Sequence, residues 1–241
     1  MRKPEYTVHS LGKEDIPLIL DLQEKVRSAM AHPSDLRLNN NETLMFCFER
    51  THFIPGIFDG EKLAAVCIFV DAAGTEEDLS VHLRHHTVTK PINYKLVLVH
   101  PDYRGHGWQR FLFQICAGLA EKCGYEQIVA TVAPDNSYSY RNMIRAGLNE
   151  DHRENKYGGL LRSVMFLDIR DRKDSEKPER KTVYEDTCGS SDISLCFDRV
   201  KVCTEEGDGI IRGAEAVFTE RRMSLPELEL IPFCLYFPAA E

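Results

Sequence analysis

Apolar residues recur along this chain first at helical spacing and then at strand spacing. From Lys13 to about Met30, Ile16, Ile19, Leu22, Val26 and Met30 share one face of a predicted helix, and a strand over Tyr6–His9 precedes it. Glu42–Arg50 is a short second helix. Phe53–Phe58 and Leu63–Asp71 have strand character and meet at Asp59-Gly60, a dipeptide suited to a tight hairpin. The second of these runs is apolar at both parities, the pattern of a central strand buried on two faces. After a polar stretch, Gly74–His86, the pattern predicts a strand over Tyr94–Val99, a Gly-bearing loop over Pro101–Gly107, and then a helix. On that helix Trp108, Phe111, Leu112, Ile115, Cys116, Leu119, Ala120 and Cys123 repeat at the helical period, with Gly124 as the expected C-terminal cap. A strand over Gln127–Ala133 passes through Pro134-Asp135-Asn136 into a helix ending near Gly147. Strands near Leu148–Asn155 and Leu160–Ile169 close a hairpin across Tyr157-Gly158-Gly159. Strands alternating with helices, plus a hairpin pair, point to an α/β or α+β sheet domain over residues 1–170.

Beyond it the character changes. Ten of the twelve residues from Arg170 to Lys181 are charged, with Pro178 among them, so 171–187 reads as a solvated linker. Residues 188–241 read as a small, mostly β appendage, with strands over Ile193–Cys203, Ile210–Phe218 and Leu228–Phe237 and a turn at Glu205–Gly209. Its strand edges can pair with the main sheet or with another subunit, which leaves a homodimer open. Residues 171–241 together hold sixteen acidic against ten basic residues and so carry most of the formal net charge of −8. An acidic chain is a poor partner for nucleic acid or an anionic membrane surface. No apolar run reaches the ~18–20 residues of a membrane span, and the first residues lack a signal-peptide core, so the expected setting is cytoplasmic. The eight cysteines form no C-x-x-C pair and mostly sit in apolar runs, where reduced thiols act as small hydrophobes.

The segment with most chemical content is Leu96–Gln109, which reads Leu-Val-Leu-Val-His-Pro-Asp-Tyr-Arg104-Gly105-His106-Gly107-Trp108-Gln109. A strand enters a turn whose glycines permit close backbone approach, and an amphipathic helix begins at once. Several N–H groups then converge on one spot, the helix dipole adds positive potential, and Arg104 stands at the entrance. This arrangement can hold a pyrophosphate. The run resembles the GNAT acyltransferase superfamily, whose signature here is [Gln/Arg]-x-x-Gly-x-[Gly/Ala]. Arg104 and Gly107 match it, while Gln109 departs from the last position and leaves the backbone donors available. Downstream, Asn136-Ser-Tyr-Ser139 followed by a helix ending in Gly147-Leu148 is similar to the family's second motif, Asn-x-x-Ser before a Gly-Phe helix end.

The resemblance covers about residues 5–170. It implies the GNAT fold: a mixed, largely antiparallel twisted sheet with flanking helices and a splayed central strand pair. It also implies acetyl-CoA as acyl donor, no metal, and direct transfer of the acetyl group to the primary amine of a small molecule. Backbone groups of Leu98 and Val99 would bond the pantetheine amides. The N–H groups of Arg104, Gly105, His106, Gly107, Trp108 and Gln109 would bind the pyrophosphate, and Asn136 and Ser139 would contact the pantetheine arm. The family's usual proton-donating tyrosine aligns with Met143 and its frequent glutamate with Lys95, so no acid or base is assigned. Tyr138, Tyr140, His85 and His86 are the candidates. His82, His85 and His86 have ligand-like spacing, but nothing nearby completes a metal set, and a solvated or substrate-pocket role fits better. Two other functions stay open: a catalytically silent acyl-CoA-binding module, suggested by the missing acid and base, and an acetyltransferase of proteins or peptides.

Overall fold

A computed structural model describes residues 6–84, 90–169, 196–204, 211–219 and 230–233. The first helix, α1 (Ile16–Ser28), is shorter than its apolar stripe, because Pro17 sits in its first turn and Lys13–Asp15 forms a separate 3-10 turn. α2 (Asn41–Phe48) starts at Asn40, whose side chain accepts from the Thr43 N–H at 2.9 Å while the Thr43 hydroxyl accepts from the Asn40 N–H at 2.8 Å. β1 (Tyr6–Ser10) lies as expected. The Phe53–Phe58 run divides into β2 (His52–Phe53) and β3 (Pro55–Asp59), since Pro55 has no N–H to give a continuous ladder.

β4 (Lys62–Val70) is the central strand. Ala65, Cys67 and Phe69 join one buried cluster and Val66, Ile68 and Val70 the other, so both faces are filled in strict alternation. The first cluster is built against α3 (Trp108–Lys122) and includes Met143 from α4 (Ser137–Arg145). The second is built against α1 and α2. Next to β4 runs β5 (Pro91–Val99), which begins three residues earlier than its hydrophobic pattern indicates, followed by β6 (Gln127–Val132). β7 (Asn149–Lys156) and β8 (Leu160–Asp168) close the expected hairpin.

β9 (Cys196–Thr204), β10 (Ile211–Thr219) and β11 (Leu230–Phe233) confirm the strand character of the tail, and β9 pairs antiparallel with β1. These strands therefore extend the main sheet, in the order β11-β10-β9-β1-β3-β4-β5-β6-β8-β7, with β2 on β4. The linker at 171–187 and the turn at Glu205–Gly209 lie outside the described residues. Among the described residues all pairings are antiparallel except β5 with β6.

Candidate active site

The parallel seam between β5 and β6 is short. Pro91–Tyr94 pair with Gln127–Ala130, and beyond Tyr94 the two strands part. The cause lies in β5. On the β4 side the register steps from Phe69 opposite Tyr94 to Ile68 opposite Leu96, so Lys95 is an extra residue, a β-bulge that bends the strand. The His100 N–H donates to the Ala64 carbonyl at 2.8 Å. Backbone groups alternate sides along a strand, so those of Leu98 also turn to β4, while those of Val97 and Val99 face the gap. Val97 and Val99 line the cleft and Leu98 does not.

The gap opens into a cleft of about 1070 Å³. At one end stands the first turn of α3. Gly105 (φ 85°) and Gly107 (φ 76°) hold left-handed conformations, and no atom lies within 4 Å of where a Cβ would be on either. The turn is thus a bare backbone cradle open to a ligand. Gly107 caps the helix without a side chain, no acidic residue occupies the first turn, and Arg104 is exposed at the rim. Arg104, Gly105, Gly107, Trp108 and Gln109 all line the cleft. His106 does not; its ring stacks on Trp108 at 6.2 Å between centroids, and its Nδ1 lies 3.1 Å from the Tyr103 and Arg104 carbonyls. Trp108 is 2% exposed and packs edge-on against Tyr6 at 4.9 Å, so it belongs chiefly to the core. The Gln109 side chain, at the position that departs from the motif, accepts from Asn142 Nδ2 at 2.8 Å and ties the start of α3 to the middle of α4.

Asn136 and Ser139 also line the cleft. The Asn136 side-chain oxygen Oδ1 accepts from the Ser139 N–H at 3.2 Å, which makes Asn136 the cap of α4 and leaves its side-chain N–H₂ for another partner. Tyr138 faces the same cleft and is 84% exposed. Tyr140 does not line it. Its hydroxyl is drawn into a hydrogen bond with Glu150, which raises its pKa and sets it apart from the reaction gap. His85 and His86 lie outside the described residues. His82 Nδ1 is 3.1 Å from Glu154 Oε1. Among the described residues, no group of three or more His, Cys, Asp or Glu is arranged to hold a metal ion. Cys116 is fully buried, as its place on the apolar face of α3 predicts, and Cys47 and Cys67 are likewise buried free thiols.

The other end of the cleft carries a charged cluster that spacing along the chain does not foretell. Glu77 accepts from Arg37 through both oxygens, at 2.6 and 3.0 Å, and from Lys95 Nζ at 2.9 Å. Its backbone carbonyl takes the Asn93 amide at 2.6 Å. Burial alone would raise the Glu77 pKa, but the hydrogen bonds and charges of Arg37 and Lys95 outweigh it and hold the carboxyl at about 2. The Arg37 guanidinium lies 4.1 Å over the ring of Tyr157, a residue with φ 50° whose hydroxyl meets Thr131 Oγ1 at 3.1 Å. Arg162, on β8, and Asp35, on the α1–α2 connection, face the same end.

No protein-family model and no curated protein matches the sequence. Solved structures do. The alanine N-acetyltransferase of a ribosomal protein from Escherichia coli is 21% identical with a TM-score of 0.52, covering 75% of this chain and 99% of its own. A spermidine N-acetyltransferase from Vibrio cholerae, solved with CoA and spermine, is 13% identical with a TM-score of 0.51, covering 70% and 98%. An acetyltransferase of the GNAT family from Streptococcus pneumoniae is 12% identical with a TM-score of 0.51, covering 68% and 99%. The splayed parallel pair, the bulge in β5 and these likenesses agree: the chain has the GNAT N-acetyltransferase fold.

Proposed function

We propose that this protein is an acetyl-CoA-dependent N-acetyltransferase that moves an acetyl group directly to the primary amine of a small molecule, with residues 1–170 as its catalytic unit. The observation that carries this reading is the continuous path from the unpaired backbone of Val97 and Val99 to the glycine cradle at the start of α3. When bound, acetyl-CoA supplies the activated acetyl group as a thioester. Val97 and Val99 offer N–H and C=O groups to a ligand that lies in the gap like an added strand. The N–H groups of the first turn of α3, its dipole and the Arg104 charge neutralise a pyrophosphate. Asn136 and Ser139 flank the arm between these two points.

An ammonium cannot attack, so the acceptor must shed a proton at the charged end of the cleft. Glu77, held at about pKa 2, is a poor base there. His32 and Asp35 face the same space and are the candidates for that proton. A backbone N–H of the splayed strand polarises the acyl carbonyl. Met143 has no proton to give the departing sulfur, which leaves Tyr138 on the first turn of α4 as the candidate acid.

Calorimetric titration with acetyl-CoA tests the site, with saturation expected near one equivalent per chain. Amine-dependent release of the CoA thiol tests the chemistry. Binding without release would assign the protein to the silent acyl-CoA-binding class, and absence of binding by the folded protein would overturn the reading.

A further inference from the structure

Arg162 is 4% exposed, yet among the described residues no carboxylate forms an ion pair with it. Its guanidinium donates to three backbone carbonyls: Leu161 at 3.0 Å, Asp35 at 3.2 Å and Ser34 at 3.5 Å. Five N–H donors are available to an arginine, so these bonds leave part of the fork unused, and none of them neutralises its charge. The Asp35 carboxylate is near enough to be felt electrostatically but makes no ion pair with it. An uncompensated buried cation is among the costliest features a fold can carry, and it persists where something supplies the missing charge.

The surroundings sharpen this. Arg37, Lys95 and Arg162 all line the acceptor end of the cleft, and Glu77 is already shared between the first two. Asp35 is the remaining carboxylate among the described residues that line that end. A patch of net positive charge thus lies inside a chain whose total is −8, and a polycationic acceptor would meet three cations there. A carboxylate would meet a pre-positioned guanidinium in a site of low dielectric, where a charge-assisted, two-pronged contact is strongest.

We infer that the acceptor bears a carboxylate as well as an amine, an amino acid or a similar amino-carboxylate, and that Arg162 binds that carboxylate. The inference rests on the acetyltransferase reading and names the acceptor class for the same cleft. Holding the carboxylate at β8 leaves the amine directed toward the gap between β5 and β6. Arg162 anchors the acceptor and touches no reacting atom.

The test uses the full-length protein with acetyl-CoA, a panel of free amino acids, the matching amino-acid amides, and spermidine. Thiol release is expected to be at least about tenfold more efficient (kcat/KM) for the best free acid than for its amide. Arg162→Met is expected to erase that preference, lowering kcat/KM for the acid by about tenfold or more relative to its amide, with the calorimetric affinity for CoA retained. Equal use of acid and amide, or a preference for spermidine, overturns the inference in the unaltered protein, whether or not the variant folds. CoA binding with no turnover of any panel member overturns it too. Failure to bind CoA would instead remove the acetyltransferase reading itself.

Discussion

At the scale of single residues, the glycine turn at one end of the cleft was legible because its geometry is local. Arg104, Gly105 and Gly107 are neighbours in the chain, and the strand–turn–helix pattern around them declares the cradle. The acceptor end was not legible. Arg37 and Glu77 are 40 residues apart, Lys95 is 18 beyond Glu77, and Arg162 reaches back 128 residues to Ser34, so no spacing announces the cluster. Glu77 itself sat in a stretch that reads simply as polar. Which backbone groups of Val97, Leu98 and Val99 face the gap was hidden for a related reason, since it depends on strand parity and not on residue type. Two glycines give a matched test. Gly60 and Gly107 both have positive φ with open space at Cβ, so alanine at either should cost about 1–2 kcal/mol of stability. Only Gly107→Ala should also weaken CoA binding, and thermal melts beside calorimetry will separate strain from contact. Arg104→Glu should weaken CoA binding by about tenfold or more, through repulsion of the pyrophosphate. Met143→Tyr should raise turnover, up to about 100-fold where proton donation to sulfur limits the rate, with CoA affinity unchanged.

At the scale of elements, the pattern of apolar positions located the strands and helices of the main domain with displaced ends. The displacements have physical causes. Pro17 delays α1, Pro55 interrupts the β2–β3 run, and β5 extends back to Pro91, where a missing N–H is tolerated at the first position of a strand. The bulge at Lys95 had no sequence signal, because an inserted residue in a strand resembles any other until its partner's register is known. Pairing of the tail with β1 was equally hidden, since strand character does not say which edge a strand will join. It has a consequence for truncation. The described residues that line the cleft all fall between Val26 and Arg162, so a chain ending at Ile169 should keep CoA affinity within about twofold. The same chain would expose the outer edge of β1, and exposed edges associate. Size-exclusion chromatography should therefore show more self-association than in the full chain, while calorimetry shows little change.

At the scale of the whole molecule, charge links the acceptor site to stability. Glu77 ionises more readily in the folded protein than in the unfolded chain, so its contribution to stability is complete above about pH 4.5 and fades as pH falls toward about 2. Glu77→Gln should lower stability at neutral pH and flatten that acid limb, which denaturant melts across this range will read. Among the described residues no helix is long and apolar enough to cross a membrane. The sheet that organises all this is joined across the parallel β5–β6 seam by four residue pairs, Pro91–Tyr94 with Gln127–Ala130. Mechanically, that seam is a short weld between two stiff plates, with β7, β8 and β6 on one side and the remaining strands on the other. Load applied across the plates concentrates at Tyr94 and Ala130, where the weld stops. A molecule bonded to both lips of the opening would lengthen the weld and spread that load, so that filling the cleft would stiffen the protein.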